Sequence, residues 1–201
     1  MSNAPTAEVV RQLREKTGVG IMECKRALTE SAGDIEKAVE ILRKKGIAVA
    51  QKRAGRATKE GLISSYVHMG GKIGVLVEIG CETDFVAKND DFKKFSQNIA
   101  MHIAAANPQY LSRDEAPSSF IEKEKEIFSE QIKNKPAHVI DKIIQGKIDK
   151  RMEEICLLDQ KYIKDDSMTI NDYVTNMIAR IGENMVIRRF VRYGLGEESN
   201  T

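Results

Sequence analysis

Ile73-Gly74-Val75-Leu76-Val77-Glu78-Ile79, followed by Cys81-Glu82-Thr83-Asp84-Phe85-Val86-Ala87-Lys88-Asn89-Asp90, is the stretch that decides the fold. Its first part is β-branched and alternating, with Val75, Val77 and Ile79 on one face, which predicts a half-buried strand. Helix follows almost at once. Asn89 reads as an N-cap, and Asp90 and Asp91 fall in the first turn, where carboxylates suit the positive end of the helix dipole. Phe92, Phe95, Ile99 and Ile103 then trace one helical stripe. Asp84 and Phe85 stand at the corner, and neither element claims them. Two readings are open for Phe85. It is a core plug beside a local cap, since buried aromatics are common, or a projecting anchor with Asp84 as its polar guide.

Upstream, Leu62, Ser64 and Tyr66 alternate before Gly70-Gly71, so Gly61 to Cys81 predicts a β-hairpin with its turn at the two glycines. The first forty or so residues predict three short helices. Thr6 caps the first, whose apolar face carries Val9, Val10 and Leu13, and Gly18-Val19-Gly20 separates it from a second helix at Ile21 to Ser31. Asp34 caps the third, where Ile35, Ala38, Val39 and Leu42 share a face and Gly46 is expected to end the helix.

Downstream, Asn107-Pro108 ends the stripe helix, and Pro117-Ser118-Ser119 opens a charged helix with Ile121, Phe128 and Ile132 inward. Pro136 is expected to start another, whose stripe of Ile140, Ile144, Ile148, Met152 and Ile155 predicts a helical hairpin, as core or as an interface arm. Thr169 with Asp172 forms a capping box for a last helix lined by Val174, Met177, Ile178 and Ile181 and ended by Gly182. Met185 to Tyr193 returns to strand and is expected to close a three-stranded sheet. Together these elements predict an α+β protein. It has a three-helix module at residues 1–46, a basic linker at 47–60, a core domain at 61–193 (a small antiparallel sheet packed by helices) and a disordered tail at 194–201.

Composition narrows the function classes. A chain of 201 residues with 32 basic and 30 acidic side chains, net +2, is too balanced to live on nucleic acid or anionic lipid. No apolar run approaches the ~20 residues of a membrane helix, and Met1 to Pro5 lack a signal or transit pattern, so the cytoplasm is the expected location. Cys24, Cys81 and Cys156 are far apart with no C-x-x-C spacing, and His68, His102 and His138 are scattered, so the residues nominate no metal site and no disulfide framework. No phosphate-cradling glycine motif is present, and no acid-base or nucleophile set suggests an enzyme, so no cofactor and no catalytic residue are expected. Residues 43–59 hold seven Lys or Arg and no acid. With no interleaved aromatic they read first as a solvated linker, the rival being a ribosome- or RNA-binding patch. Arg188, Arg189 and Arg192 read as solvated edge charges, since strand alternation sends Arg189 to the opposite side from the other two.

The run Cys81 to Asn89 with its preceding strand, the run Leu13 to Leu28 and the run Ile181 to Arg189 closely resemble, in order, three signatures of the bacterial translation elongation factor Ts family. The resemblance spans about residues 6 to 193. It implies a ubiquitin-associated type fold for the amino-terminal module and guanine-nucleotide exchange on the GTPase elongation factor Tu, with no covalent step. It also implies that Thr83, Asp84, Phe85 and Val86 engage the GTPase near its Mg²⁺, and that Arg14, Ile21 and Met22 contact its nucleotide-binding domain. Longer members carry a duplicated sheet subdomain and a coiled-coil insert, whereas this chain has one sheet signal. A homodimer is therefore expected.

Overall fold

A computed structural model describes residues 5–132 and 137–197. The expected helix start at Pro136 and the tail beyond Glu197 lie outside the described residues. The chain divides into two compact units that are not contiguous in sequence, one of Met1–Gly61, Gly80–Asn89 and Asp172–Val186, the other of Leu62–Ile79, Asp90–Asn171 and Ile187–Thr201. Both units mix distant segments, and the architecture is α+β.

In the first unit, α1 (Ala7–Thr17), α2 (Ile21–Glu30) and α3 (Ile35–Arg53) enclose a core of Val10, Leu13, Cys24, Ala27, Leu28 and Leu42. The expected caps form: Thr6 Oγ1 accepts the Val9 N–H, and Asp34 accepts the Lys37 N–H at 3.1 Å. Gly46 does not end α3, which continues through Arg53. Its site is buried, and a Cβ there would meet the Ala179 Cβ at 3.4 Å. The glycine is a packing notch, so the missing side chain answers to a neighbouring helix and not to a turn. The facing helix is Ile170–Ile181, with Val174, Met177 and Ile178 buried; it ends at Gly182, whose φ of +87° is open to glycine at no steric penalty.

The second unit carries most of a three-stranded sheet of order β1-β2-β5, formed by β1 (Glu60–Val67), β2 (Ile73–Cys81) and β5 (Met185–Gly194). Gly70 and Gly71, both at positive φ, make the hairpin turn, closed by the His68 N–H on the Ile73 carbonyl at 2.9 Å. Next comes a five-residue helix, α4 (Asp84–Lys88), and then α5 (Asp90–Ala106). The stripe of Phe92, Phe95, Ile99 and Ile103 is wholly buried, and α5 is tied to the sheet by Ser64 Oγ on Gln97 Oε1 and by Arg192 Nε on the Ala104 carbonyl. Helices α6 (Ser118–Gln131) and α7 (Ala137–Ile155) form the expected hairpin. Ile148, Met152 and Ile155 are buried there with Phe120, Ile121, Phe128 and Ile144 packed against them, so this part of the α7 stripe is core, while Ile140 and Ile144 are half-buried.

Two findings correct the reading of the carboxy-terminal strand. Burial in β5 slips by one residue at the adjacent exposed pair Arg188 and Arg189, the pattern a β-bulge produces. Strict alternation therefore fails, and both arginines reach Glu78, at 3.5 and 2.8 Å. Arg192 is no solvated edge charge, because its side chain is 10% exposed. A small antiparallel pair, β3 (Lys161–Tyr162) and β4 (Asp165–Thr169), has no counterpart in the sequence reading; two residues cannot show a period. The last helix is α8 (Ile170–Ile181).

Candidate functional site

The corner predicted between strand and helix is itself helical. Five residues cannot hold a helix in isolation, so α4 depends on what grips its ends. Thr83 is the N-cap, in extended backbone, with its Oγ1 accepting the Val86 N–H at 3.4 Å. Val86 is 9% exposed and pins the turn to the interior. Phe85, one residue earlier, lies off that inward face and is 81% exposed. The core-plug reading of Phe85 is thereby excluded. Asp84 is bound by Lys88 at 2.7 Å across one helical turn, and that contact holds its carboxyl below the usual range, so it is charged at neutral pH.

Behind α4 lies a clasp of two Glu-bearing turns. Glu183 accepts the Thr83 backbone N–H at 3.0 Å and the Thr83 hydroxyl at 2.7 Å. Reciprocally, Glu82 accepts the Asn184 backbone N–H at 2.6 Å, and the Asn184 side-chain amide donates to the Arg56 carbonyl at 2.9 Å. The Asn184 N–H is the main cause that lowers the Glu82 pKa, with Arg56 at 3.3 Å and Arg53 at 3.8 Å assisting. Below the clasp, the buried Cys81 thiol donates to the Thr83 carbonyl, and burial next to the Glu183 carboxylate pushes it up to about 11. It is an unreactive thiol at neutral pH.

The first unit also holds the amino-terminal candidates. Ile21 and Met22 open α2 and are 52% and 65% exposed. Met22 shares its outward face with Lys25, Arg26 and Thr29, while Cys24, Ala27 and Leu28 face the core. Arg14 is exposed in the last turn of α1, on the same three-helix module. Thr83 and Val86 thus build the corner, Phe85 and Asp84 stand on its outer side, and Arg14, Ile21 and Met22 are each exposed elsewhere in the same unit.

The basic stretch is not a free linker. Arg43 pairs with Asp172 at 3.0 Å, Lys45 with Glu30 at 2.8 Å, and Arg53 and Arg56 with Glu82. Four of its seven cations are thus engaged within the unit. Among the described residues no group of three or more His, Cys, Asp or Glu is placed to hold a metal ion, and no helix is long and apolar enough to cross a membrane.

Residues 6–197 match the profile of the family described as Elongation factor TS. The chain belongs to the elongation factor Ts family. Its relatives include the elongation factor Ts of Pseudothermotoga lettingae, 57% identical over 96% of this chain and 98% of that one. That of Fervidobacterium nodosum is 58% identical over the same shares, and that of a Thermoanaerobacter species is 54% identical over 98% of this chain and 97% of its own. The family match spans residues 6–197 of this elongation factor Ts family member, so the corner, the clasp and the amino-terminal module all fall within the matched region.

Proposed function

We propose that this chain is the guanine-nucleotide exchange factor of elongation factor Tu, acting by contact alone. The observation that carries the reading is Phe85, an aromatic side chain 81% exposed on a turn whose neighbours Thr83 and Val86 are fixed. A bare aromatic on a rigid turn loses little freedom on binding, which is what an interface anchor needs. A GTPase holds GDP through backbone amides, a Lys and a Mg²⁺ ion that neutralises phosphate charge. Phe85 entering an apolar pocket between helices beside that site displaces the metal-side elements. Asp84, charged and released from Lys88 on contact, competes there for polar groups. Ile21 and Met22 supply apolar burial on the nucleotide-binding domain, and Arg14 supplies charge. Linkage is reciprocal: whatever weakens GDP is matched by GDP weakening this chain's grip, so the nucleotide-free complex is the tight one.

We propose a homodimer as well. Its support is an apolar surface of the sheet, where Ile63 and Leu76 are 67% and 47% exposed beside Phe190 and Val191 around a groove of about 270 Å³. A second copy laid on this face covers it, and sedimentation at micromolar concentration reads the outcome: a dimer supports the pairing, a clean monomer contradicts it. For exchange itself, the test is release of labelled GDP from elongation factor Tu with and without the chain. Acceleration is expected, and an unchanged release rate refutes the reading.

A further inference from the structure

We infer that Glu183 is a positioning residue for exchange, holding the direction of Phe85 through Thr83. The inference rests on the Phe85 reading above. α4 has five residues and starts at a single cap, Thr83, whose hydroxyl both donates to Glu183 Oε1 and accepts from the Val86 N–H. The same carboxylate takes the Thr83 N–H through Oε2. One side chain therefore fixes the cap's backbone and its hydroxyl rotor together. Donation to a charged acceptor also strengthens the hydroxyl as an acceptor for α4.

The reach across the chain is 100 residues, so no local propensity substitutes for it. Glu183 follows Gly182, whose positive φ ends α8 and turns the carboxylate toward the corner. The reciprocal bond from the Asn184 N–H to Glu82 holds the two turns in register. Phe85 itself is too exposed to be steered by packing. Its direction is set by the turn that carries it, which Val86 holds by burial and the Glu183 clasp holds by hydrogen bonds. Loss of Glu183 leaves α4 attached through Val86 but free to pivot, so only a fraction of molecules present the ring in the productive direction, and apparent activity falls by that fraction.

The experiment is a double-mutant cycle in the full chain, reading release of labelled GDP from elongation factor Tu at subsaturating concentration, with melting temperature recorded for each variant. Glu183→Ala is expected to slow release about tenfold, the size of one charge-assisted hydrogen bond, and Glu183→Gln by less, since it keeps the length and one acceptor. In the Phe85→Ala background, Glu183→Ala is expected to add less than about twofold, because a residue that acts through Phe85 has nothing left to position. Should Glu183→Ala fail to fold, Glu183→Gln carries the same comparison. Equal losses in both backgrounds overturn the inference, as does normal release by a folded Glu183→Ala. If Phe85→Ala alone leaves release unchanged, the wedge reading has failed and takes this inference with it; if Phe85→Ala is impaired and the Glu183 variants are not, the positioning role alone has failed.

Discussion

Phe85 lies seven residues before Phe92 and ten before Phe95, in successive helices, and their environments are opposite. Phe85 is 81% exposed, whereas Phe92 and Phe95 are 0% and 1% exposed. Hydrophobicity does not separate them. Periodicity does: Phe92 and Phe95 repeat with Ile99 and Ile103 along a helix of 17 residues, while α4, at five residues, has one inward position, and Val86 fills it. An aromatic left off the stripe of a clamped turn has no core to join. The α5 stripe is thus core, and Phe85 is left on the surface of the α4 corner, where the proposed exchange role needs it.

The largest effect expected from this contrast is on the stripe. Phe92→Ala removes a fully buried ring and should destabilise the chain by ~3 to 5 kcal/mol in denaturant titration, with normal exchange by whatever fraction stays folded. A loss under about 1 kcal/mol would mean that Phe92 is no more a core residue than Phe85.

An intermediate effect is expected at Cys81, the buried thiol under the corner. Its pKa is raised from 9.0 to about 11, so the folded state retains the proton that the unfolded state releases, and stability is full below pH 9 and lost as pH rises toward about 11. The loss is on the order of 2 kcal/mol, read as the alkaline slope present in the wild type and absent in Cys81→Ala.

On the acid side His102 is the counterpart in the second unit. Its Nδ1 accepts the Ile163 N–H at 3.3 Å, so Nε2 carries the proton and donates to Gln160 Oε1 at 3.0 Å, while the Gln160 amide donates to the Glu154 and Ala106 carbonyls. Burial lowers the His102 pKa below its ordinary 6.5, outweighing the Gln160 bond. Its contribution is therefore complete above pH 6.5 and lost as pH falls through the lowered value. Urea titrations at about pH 7.5 and 5.5 should show a smaller drop for His102→Gln than for the wild type.

The smallest effect belongs to the exposed pairs. Arg43→Gln breaks the bond to Asp172 and is expected to change stability by ~0 to 1 kcal/mol, since the arginine side chain is 56% exposed. A change of several kcal/mol would place the three-helix module's stability in charge pairs instead of its apolar core.

The sequence showed most of the fold because its long elements repeat: the α5 stripe, the β2 alternation and the α1 and α3 caps all appear where the period or the capping residue placed them. What it hid is non-periodic or distant. Gly46 looked like a stop because the Ala179 methyl that explains it lies 133 positions away in sequence. The β5 slip broke an alternation that ten residues otherwise invite. At the corner, Phe85 was legible as an aromatic that no element claimed, but its exposure was not, since that depends on Val86 taking the inward place. The clasp was invisible, although Cys81 to Asn89 and Ile181 to Arg189 were both conspicuous, because nothing in either run reveals that Glu82 and Glu183 exchange partners.

The central claim, that Phe85 is an exposed anchor and not part of the core, is tested most directly by measuring GDP release and melting temperature together for Phe85→Ala. Release is expected to slow at least about tenfold, ~1.4 kcal/mol or more, with the melting temperature almost unchanged. A large fall in melting temperature with normal release by the folded fraction would contradict it.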